Sequence, residues 1–328
     1  MKVAINGFGR IGRTVARMIL EDPRFELVAI NDLHPADTMA HLFKYDSVHG
    51  KFSDPVSAGV DSLSLGNNEL RYSQHKDPAQ ALWGDLGVDV VLECTGFFKT
   101  HELASKHLEA GAAKVVLSAP PADDSVKTVV LGVNDDIMST DDVILSNASC
   151  TTNSAAPMVK ILDEACGIES CYITTVHSYT GDQKLQDAPH KDWRRGRAAA
   201  VSIVPTTTGA AKALTKIFPH LSTHMGGCGI RVPVPDGSLT DITCVVRNPV
   251  SVELLNARFE AEAAGNMKGI LEYTEDPIVS ADIIGNTHSC IFDAQLTSVI
   301  GKMIKLVGWY DNEVGYSKRL VDLMTRIH

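Results

Sequence analysis

Lys2-Val3-Ala4-Ile5-Asn6-Gly7-Phe8-Gly9-Arg10-Ile11-Gly12 stands at the start of the chain, and its pattern decides the fold of the first half. KVAIN is an apolar run of strand length, the glycines break it, and a helix is expected from about Arg10 to Leu20. FELVAIN, from Phe25 to Asn31, supplies a second strand, so the segment reads as a βαβ unit with parallel strands. A GxGxxG run placed between strand and helix suits a dinucleotide for physical reasons. Gly7 permits the tight turn, Gly9 lets a pyrophosphate approach the backbone, and Gly12 allows close helix packing, while the helix N-terminus attracts phosphate. Asp32 follows the second strand, 20 residues beyond Gly12, where a carboxylate accepts hydrogen bonds from both hydroxyls of an adenosine ribose. That favours NAD over NADP.

Further short apolar strands are expected at Asp89–Cys94, Lys114–Ser118, Thr128–Leu131 and Val143–Ser146, of the kind buried on both faces of a parallel sheet. Beyond Ser149 the pattern changes. One long helix from Ser149 to about Ala165 precedes longer strands at Tyr172–Val176, Leu239–Val246, Ser289–Phe292 and Met303–Tyr310. The fold class expected is therefore an α/β Rossmann-type dinucleotide-binding domain, residues 1–148, followed by an α+β catalytic domain with a mostly antiparallel sheet, residues 149–312. A closing amphipathic helix, residues 313–328, is assigned to the first domain. Ser178–Ala200 is charged and lacks apolar periodicity, which predicts a long ordered loop, and such loops are usually functional.

Bulk composition narrows the class. With 328 residues the chain exceeds what one core serves, and 44% hydrophobic with 21% charged residues is ordinary globular composition. A formal charge of -10 argues against a nucleic-acid or anionic-membrane binder, so any anionic ligand must be held by local arginines. The longest apolar runs fall far short of the ~20 residues needed to span a bilayer, and MKVAINGFGR has no apolar signal core; neither a membrane segment nor export is expected. Seven scattered cysteines, at 94, 150, 166, 171, 228, 244 and 290, fit neither a disulfide framework nor a metal cluster. No metal site is expected, and a reducing cytoplasm is the simplest setting.

Leu145-Ser146-Asn147-Ala148-Ser149-Cys150-Thr151-Thr152-Asn153 passes from a strand end through capping-type residues into the long helix. Cys150 thus falls in the first helical turn, where free N–H groups and the helix dipole stabilise a thiolate. Cys166, Cys171 and Cys290 read instead as inert buried residues. A thiolate attacking an aldehyde needs a base for the resulting hydroxyl, and His177, ending the strand TTVH, is the candidate. Taken alone, a strand-end histidine is usually structural.

NGFGRIGR at Asn6–Arg13, KYDSVHGKF at Lys44–Phe52, SNASCTTN at Ser146–Asn153, TTVHSYTGDQ at Thr174–Gln183, HKDWRRGRAAA at His190–Ala200, TGAAKAL at Thr208–Leu214 and WYDNEVGYS at Trp309–Ser317 resemble the glyceraldehyde-3-phosphate dehydrogenase family, in order and from end to end. SNASCTTN is far more specific than the glycine fingerprint. The resemblance implies that Cys150 is the nucleophile and His177 its activator and base. It implies that Asn312 holds the nicotinamide carboxamide and that Arg10, Ile11, Asp32, Lys76 and Ser118 line the rest of the NAD site, with Lys76 where the family often has arginine. Thr180, Asp182 and Arg231 are implied as the site for the substrate's own phosphate, and Ser149, Thr151, Arg195, Thr208 and Gly209 as the site for inorganic phosphate. The reaction implied is oxidation of glyceraldehyde 3-phosphate to 1,3-bisphosphoglycerate with NAD, through a thiohemiacetal and a thioester, in a homotetramer. Erythrose-4-phosphate dehydrogenase is the alternative; TTTGAAK at Thr206–Lys212 and SAPP at Ser118–Pro121 look more like the glycolytic enzyme.

Two departures stand out. The family often reads CTTNC, whereas here CTTNS puts Ser154 on the helix face of Cys150. Leu33 and Pro189 resemble NAD-specific members, but Ala188 is smaller than the leucine many of them carry.

Overall fold

The computed structural model describes residues 1–327, and its contacts divide the chain into two compact units. The first comprises Met1–Val129, Asp136–Ala148 and the last segment from Ser317; the second comprises Val130–Asp135 and Ser149–Tyr316.

The first unit is built on a nine-stranded sheet. Lys2–Asn6 lies at its centre, paired in parallel with Glu26–Asn31 on one side and Val90–Glu93 on the other. Lys114–Leu117, Ile144–Ser146 and Lys127–Thr128 continue the parallel order outward from Val90–Glu93. On the opposite side Asn68–Ser73 joins in parallel, and Ser62–Leu65 and Val56–Ala58 close the edge as antiparallel strands. The sequence reading missed this edge because NELRYS and SLSL are short and largely polar. The central strands carry Val3, Ala4, Ile5, Val91 and Leu92 with essentially no exposure, as a sheet covered on both faces requires. Helices Arg10–Glu21, Ala36–Lys44 and His101–Glu109 belong to this unit.

The second unit holds a mixed sheet. In spatial order its main strands are Val204–Thr206, Met225–Val232, Ile168–Ser178, Ser238–Val246, Met303–Tyr310, Cys290–Asp293 and Leu271–Thr274. Most neighbours are antiparallel, but Ile168–Ser178 runs parallel to Met225–Val232, and Leu271–Thr274 parallel to Cys290–Asp293. Met225–Val232 is the strand hardest to foresee. Its MGGCG start lacks β-branched residues, and it forms because a partner strand is present on each side. The helix Cys150–Cys166 packs on this sheet through Ala155, Met158, Val159 and Leu162, all buried. Tyr179–Ala198 carries no regular helix or strand beyond an isolated bridge between Lys184 and Ala198.

Among the described residues no helix is long and apolar enough to cross a membrane. The cysteines of these residues are all free thiols.

Candidate active site

Strand ends in a parallel sheet leave their last carbonyl and amide groups facing a crevice, and here that crevice is a cavity of about 510 Å³. Asn6, Gly7, Gly9, Asn31, Asp32 and Lys76 are among its lining residues. Gly7 turns the chain with φ +94, a value L side chains rarely adopt, and a Cβ there would come within 2.7 Å of the Thr95 amide nitrogen. A Cβ on Gly12 would collide with the Gly7 carbonyl oxygen, whereas one on Gly9 would meet nothing within 4 Å. Two glycines therefore shape the turn and the third leaves its backbone open to approach. Asp32 Oδ2 accepts from the Phe8 amide at 2.7 Å and Oδ1 from the His34 amide at 3.0 Å, which fixes the carboxylate at the cavity wall with lone pairs to spare. These features fit a dinucleotide.

Of the other residues implied for NAD, Lys76 lines the cavity, while Arg10 is tied to Asp46 at 2.7 Å. Ile11 starts the first helix beside Arg10, and Ser118 bonds the Cys94 thiol at the neighbouring strand ends. Asn6, Asn31, Thr95 and Phe97 also line the cavity and were not singled out from the sequence. Their signal was present, because each lies at or just beyond a strand's carboxyl end.

Cys150 is placed by a sharp local reversal. Ala148 takes φ 57, a left-handed conformation costing about 1–2 kcal/mol for a non-glycine residue. Ser149 then caps the helix, its Oγ accepting from the Thr152 amide at 3.1 Å. Cys150 is the first helical residue, one later than the start expected at Ser149 and within the first turn as the sequence predicted. Burial raises its thiol above the usual range. The Arg231 charge and the Thr151 amide and hydroxyl pull the other way without overcoming it. The helix start thus supports a thiolate without producing one unaided.

His177 sits at the end of Ile168–Ser178, and its Nε2 lies 3.5 Å from Cys150 Sγ. The fold therefore brings together the two residues that spacing alone left unconnected. Desolvation, followed by the nearby Arg231 charge, pushes the imidazole down to about 3, so it rests neutral. Tyr310, at the end of Met303–Tyr310, packs its ring edge-on to His177 at 6.0 Å. Its hydroxyl bonds Thr151 at 2.9 Å and Thr175 at 2.8 Å, bracing the helix start against the strand. Burial drives the Tyr310 hydroxyl well above its ordinary range. Tyr310 falls in the stretch WYDNEVGYS that carried the resemblance, but its bracing contacts were not legible there because its partners are remote in the chain.

The residues implied for anions fall around this pair in uneven fashion. Arg231 is the parallel-strand neighbour of His177 and donates to the Ser178 carbonyl at 2.9 Å. Asp182, implied beside Arg231, lies near enough to act on its charge and also forms an ion pair with Arg195, whose Nε donates to Thr206 Oγ1 at 2.8 Å. Thr151 is engaged with Tyr310, Thr180 precedes Asp182 in the long loop, and Thr208 and Gly209 lead into the helix Ala210–Ile217. Asn312 has its Oδ1 held by two hydroxyl donors, Ser178 at 2.9 Å and Ser238 at 2.6 Å. That orientation leaves the amide N–H₂ as the outward group, suited to a carboxamide oxygen.

Ser154 is buried and bonds Thr240 at 3.0 Å, so the position below the nucleophile is filled by a polar pair. Burial raises the thiols of Cys94 and Cys290 to about 12, and that of Cys166 in the same direction, which leaves them poor nucleophiles.

A dinucleotide cavity in one unit and a thiol beside an imidazole in the other define an NAD-dependent dehydrogenase. Residues 1–101 match the glyceraldehyde 3-phosphate dehydrogenase NAD binding domain, and residues 149–312 match the C-terminal domain of the same enzyme. The chain is 51% identical to a glyceraldehyde-3-phosphate dehydrogenase of Geobacillus stearothermophilus over all of its length and 98% of the relative's. It is also 51% identical to that of Mycobacterium avium and 49% identical to glyceraldehyde-3-phosphate dehydrogenase 1 of Bacillus subtilis, again over the whole chain and 98% of each relative. The chain belongs to the glyceraldehyde 3-phosphate dehydrogenase family.

Proposed function

We propose that the protein oxidises D-glyceraldehyde 3-phosphate to 1,3-bisphosphoglycerate, using NAD and inorganic phosphate. The observation that carries the reading is the 3.5 Å approach of His177 Nε2 to Cys150 Sγ at a capped helix N-terminus, in a chain of this family. Cys150 adds as thiolate to the aldehyde carbon, forming a C–S bond and an alkoxide that takes up a proton as the thiohemiacetal. His177 Nε2 then removes the hydroxyl proton as the C–H bond breaks, leaving a thioester on Cys150. NAD supplies the two-electron acceptor for that hydride. The Cys150 backbone N–H and the protonated His177 stabilise the tetrahedral oxyanion. Phosphate attacks the thioester carbonyl, the C–S bond breaks, and the thiolate leaves.

Thr180, Asp182 and Arg231 are assigned to the substrate's phosphate. Ser149, Thr151, Arg195, Thr208 and Gly209 are assigned to inorganic phosphate, in keeping with charge-assisted bonding of phosphate oxygens by arginine. Asp182 is also ion-paired with Arg195. Gly7, Gly9, Arg10, Ile11, Gly12, Asp32, Lys76 and Ser118 are assigned to the dinucleotide and Asn312 to its carboxamide. A homotetrameric, cytoplasmic enzyme is the accompanying reading.

The test measures NADH formation with glyceraldehyde 3-phosphate and with erythrose 4-phosphate, each with and without phosphate. Preference for the former, with turnover that requires phosphate, is expected. Better use of erythrose 4-phosphate without any phosphate effect sinks the assignment. Cys150→Ser should abolish oxidation while NAD binding survives; normal turnover in that variant removes the thioester mechanism. Catalytic efficiencies with NAD and NADP, compared side by side, fix how strictly Asp32 and Leu33 select the cofactor.

A further inference from the structure

Ile168–Ser178 and Ser238–Val246 pair antiparallel within the sheet of the second unit, and their register sets Cys171 directly opposite Cys244. Both side chains lie on the buried face, Cys171 with 5% exposure and Cys244 with 1%. The Cys171 amide donates at 2.8 Å to the His224 carbonyl, on the side of Met225–Val232, and so points away from Ser238–Val246. In an antiparallel ladder that marks a pair without mutual backbone bonds, whose Cα atoms approach to about 4.5 Å and whose side chains lie closest. A disulfide spans Cα atoms about 4.4–6.8 Å apart, so thiols placed this way can be bridged without moving either strand.

The two sulfurs already interact. A hydrogen bond to Cys171, followed by burial, pushes the Cys244 thiol far above its ordinary range, and the charge of Asp163 on the helix Cys150–Cys166 acts in the same direction. Cys244 is thus held as the protonated donor, and the Cys171 sulfur is its acceptor. Neither thiol takes part in aldehyde oxidation, since Cys171 stands six positions before His177 on the same strand, toward the end remote from the reacting pair. Read by itself Cys171 is an inert buried cysteine, because the partner that gives it chemistry lies 73 positions further along the chain.

We propose that Cys171 and Cys244 form a modification site, a dithiol that hydrogen peroxide oxidises to a cross-strand disulfide. The Cys171 sulfur attacks one peroxide oxygen, the O–O bond breaks, and Cys171 becomes a sulfenic acid as water departs with the thiol's proton. The Cys244 sulfur then attacks that of Cys171, the S–O bond breaks, and hydroxide leaves with the Cys244 proton as a second water. Two thiols thereby lose two electrons and two hydrogens while one peroxide becomes two waters. Hydrogen peroxide is scarcely larger than water, a size that the residual opening at Cys171 admits.

The bridge staples two neighbouring strands of the sheet that carries His177 and closes a long loop, which removes conformational freedom from the unfolded chain. The catalytic unit is therefore held more firmly under the conditions that oxidise Cys150, and a thiol reductant reopens the bridge by exchange.

The test uses the full-length Cys150→Ser enzyme with NAD present, which keeps six of the seven cysteines and removes the thiol assigned as nucleophile. After mild hydrogen peroxide, thiols counted in denaturant should fall from six to four, and digestion should yield one linked peptide pair joining Cys171 to Cys244. The urea midpoint should rise by about 1 M. Dithiothreitol should abolish the rise and restore all six thiols, which separates the bridge from methionine oxidation. With Cys244→Ala added, peroxide should no longer raise the midpoint. Retention of all six thiols, sulfinic acid at Cys171 without a link, or a bridge from either residue to another cysteine overturns the proposal. A Cys171–Cys244 link that leaves the midpoint unmoved overturns the staple. Should Cys150→Ser fail to fold, wild type with Cys150 blocked by iodoacetamide gives the same readings.

Discussion

Replacing Glu93 by glutamine changes one atom at the bottom of the dinucleotide-binding unit, and the structure dictates what that atom costs. Glu93 is 1% exposed and accepts four hydrogen bonds. Asn6 Nδ2 donates to Oε2 at 2.6 Å, His107 Nε2 to the same oxygen at 3.1 Å, and the Thr95 amide to Oε1 at 2.7 Å, with the Thr95 hydroxyl beside it. None of the first three donors can reverse. Asn6 Oδ1 is committed to Asn31 Nδ2 at 2.8 Å, which fixes the Asn6 amide. Trp83 Nε1 can only donate, and it donates to His107 Nδ1 at 3.1 Å, so the His107 hydrogen must sit on Nε2. A glutamine N–H₂ in the cheaper orientation turns toward Thr95, whose hydroxyl can rotate, and strands the Thr95 amide. One stranded buried donor costs about 1–3 kcal/mol, and the two bonds to Oε2 fall from charge-assisted to neutral strength, roughly 0.5–1 kcal/mol each. The sum is about 3 kcal/mol. In a Trp193→Phe, Trp309→Phe background Trp83 is the sole indole of the chain and reports on this unit. With a urea slope of about 1–3 kcal/mol/M, the Glu93→Gln midpoint should fall by about 1–2 M. A shift below about 0.3 M would mean that the carboxylate is not the hub this network describes.

Gly12→Ala places a Cβ against the Gly7 carbonyl oxygen, backbone that cannot yield without opening the turn, so NAD affinity should fall by about 1–3 kcal/mol; unchanged titration by nucleotide-induced fluorescence quenching contradicts this. Asp236 is raised to about 8 by burial, then by Asp311 and Glu313. Its native pKa lies above that of the unfolded chain, so its contribution is intact at low pH and is lost as pH rises from about 4 through 8. Asp236→Asn should therefore gain stability over the wild type at pH 9 and little at pH 4, and equal differences at both pH values, seen in thermal melts, refute the assignment. Mild peroxide should take Cys150 to sulfinic acid or mixed disulfides, since Ser154 offers no thiol; an intrachain Cys150 disulfide found by mass spectrometry contradicts this.

Local chemistry made much of the molecule legible in advance. The strand Lys2–Asn6 and the strand Met303–Tyr310 lie where the residues predicted, and the first helix begins at Arg10 as expected. In each case one pattern of apolar residues and glycines admits one local conformation. The opposite case is Met225–Val232, whose glycines carry no strand signal and whose pairing partners lie across a helix on one side and the long loop on the other. Asp182 lies near both Arg195 and Arg231, a double contact that its place in the long loop did not announce.

The sequence by itself determined the turn at Gly7–Gly12, the acid at Asp32 and the cysteine at a helix start, because each is a property of contiguous residues and their backbone preferences. Only the tertiary structure brought His177 within 3.5 Å of Cys150, braced both with Tyr310 and set Arg231 against the imidazole. Those contacts follow from strand register and helix-on-sheet packing, which join residues 27 to 159 positions apart and depend on burial that no local window contains.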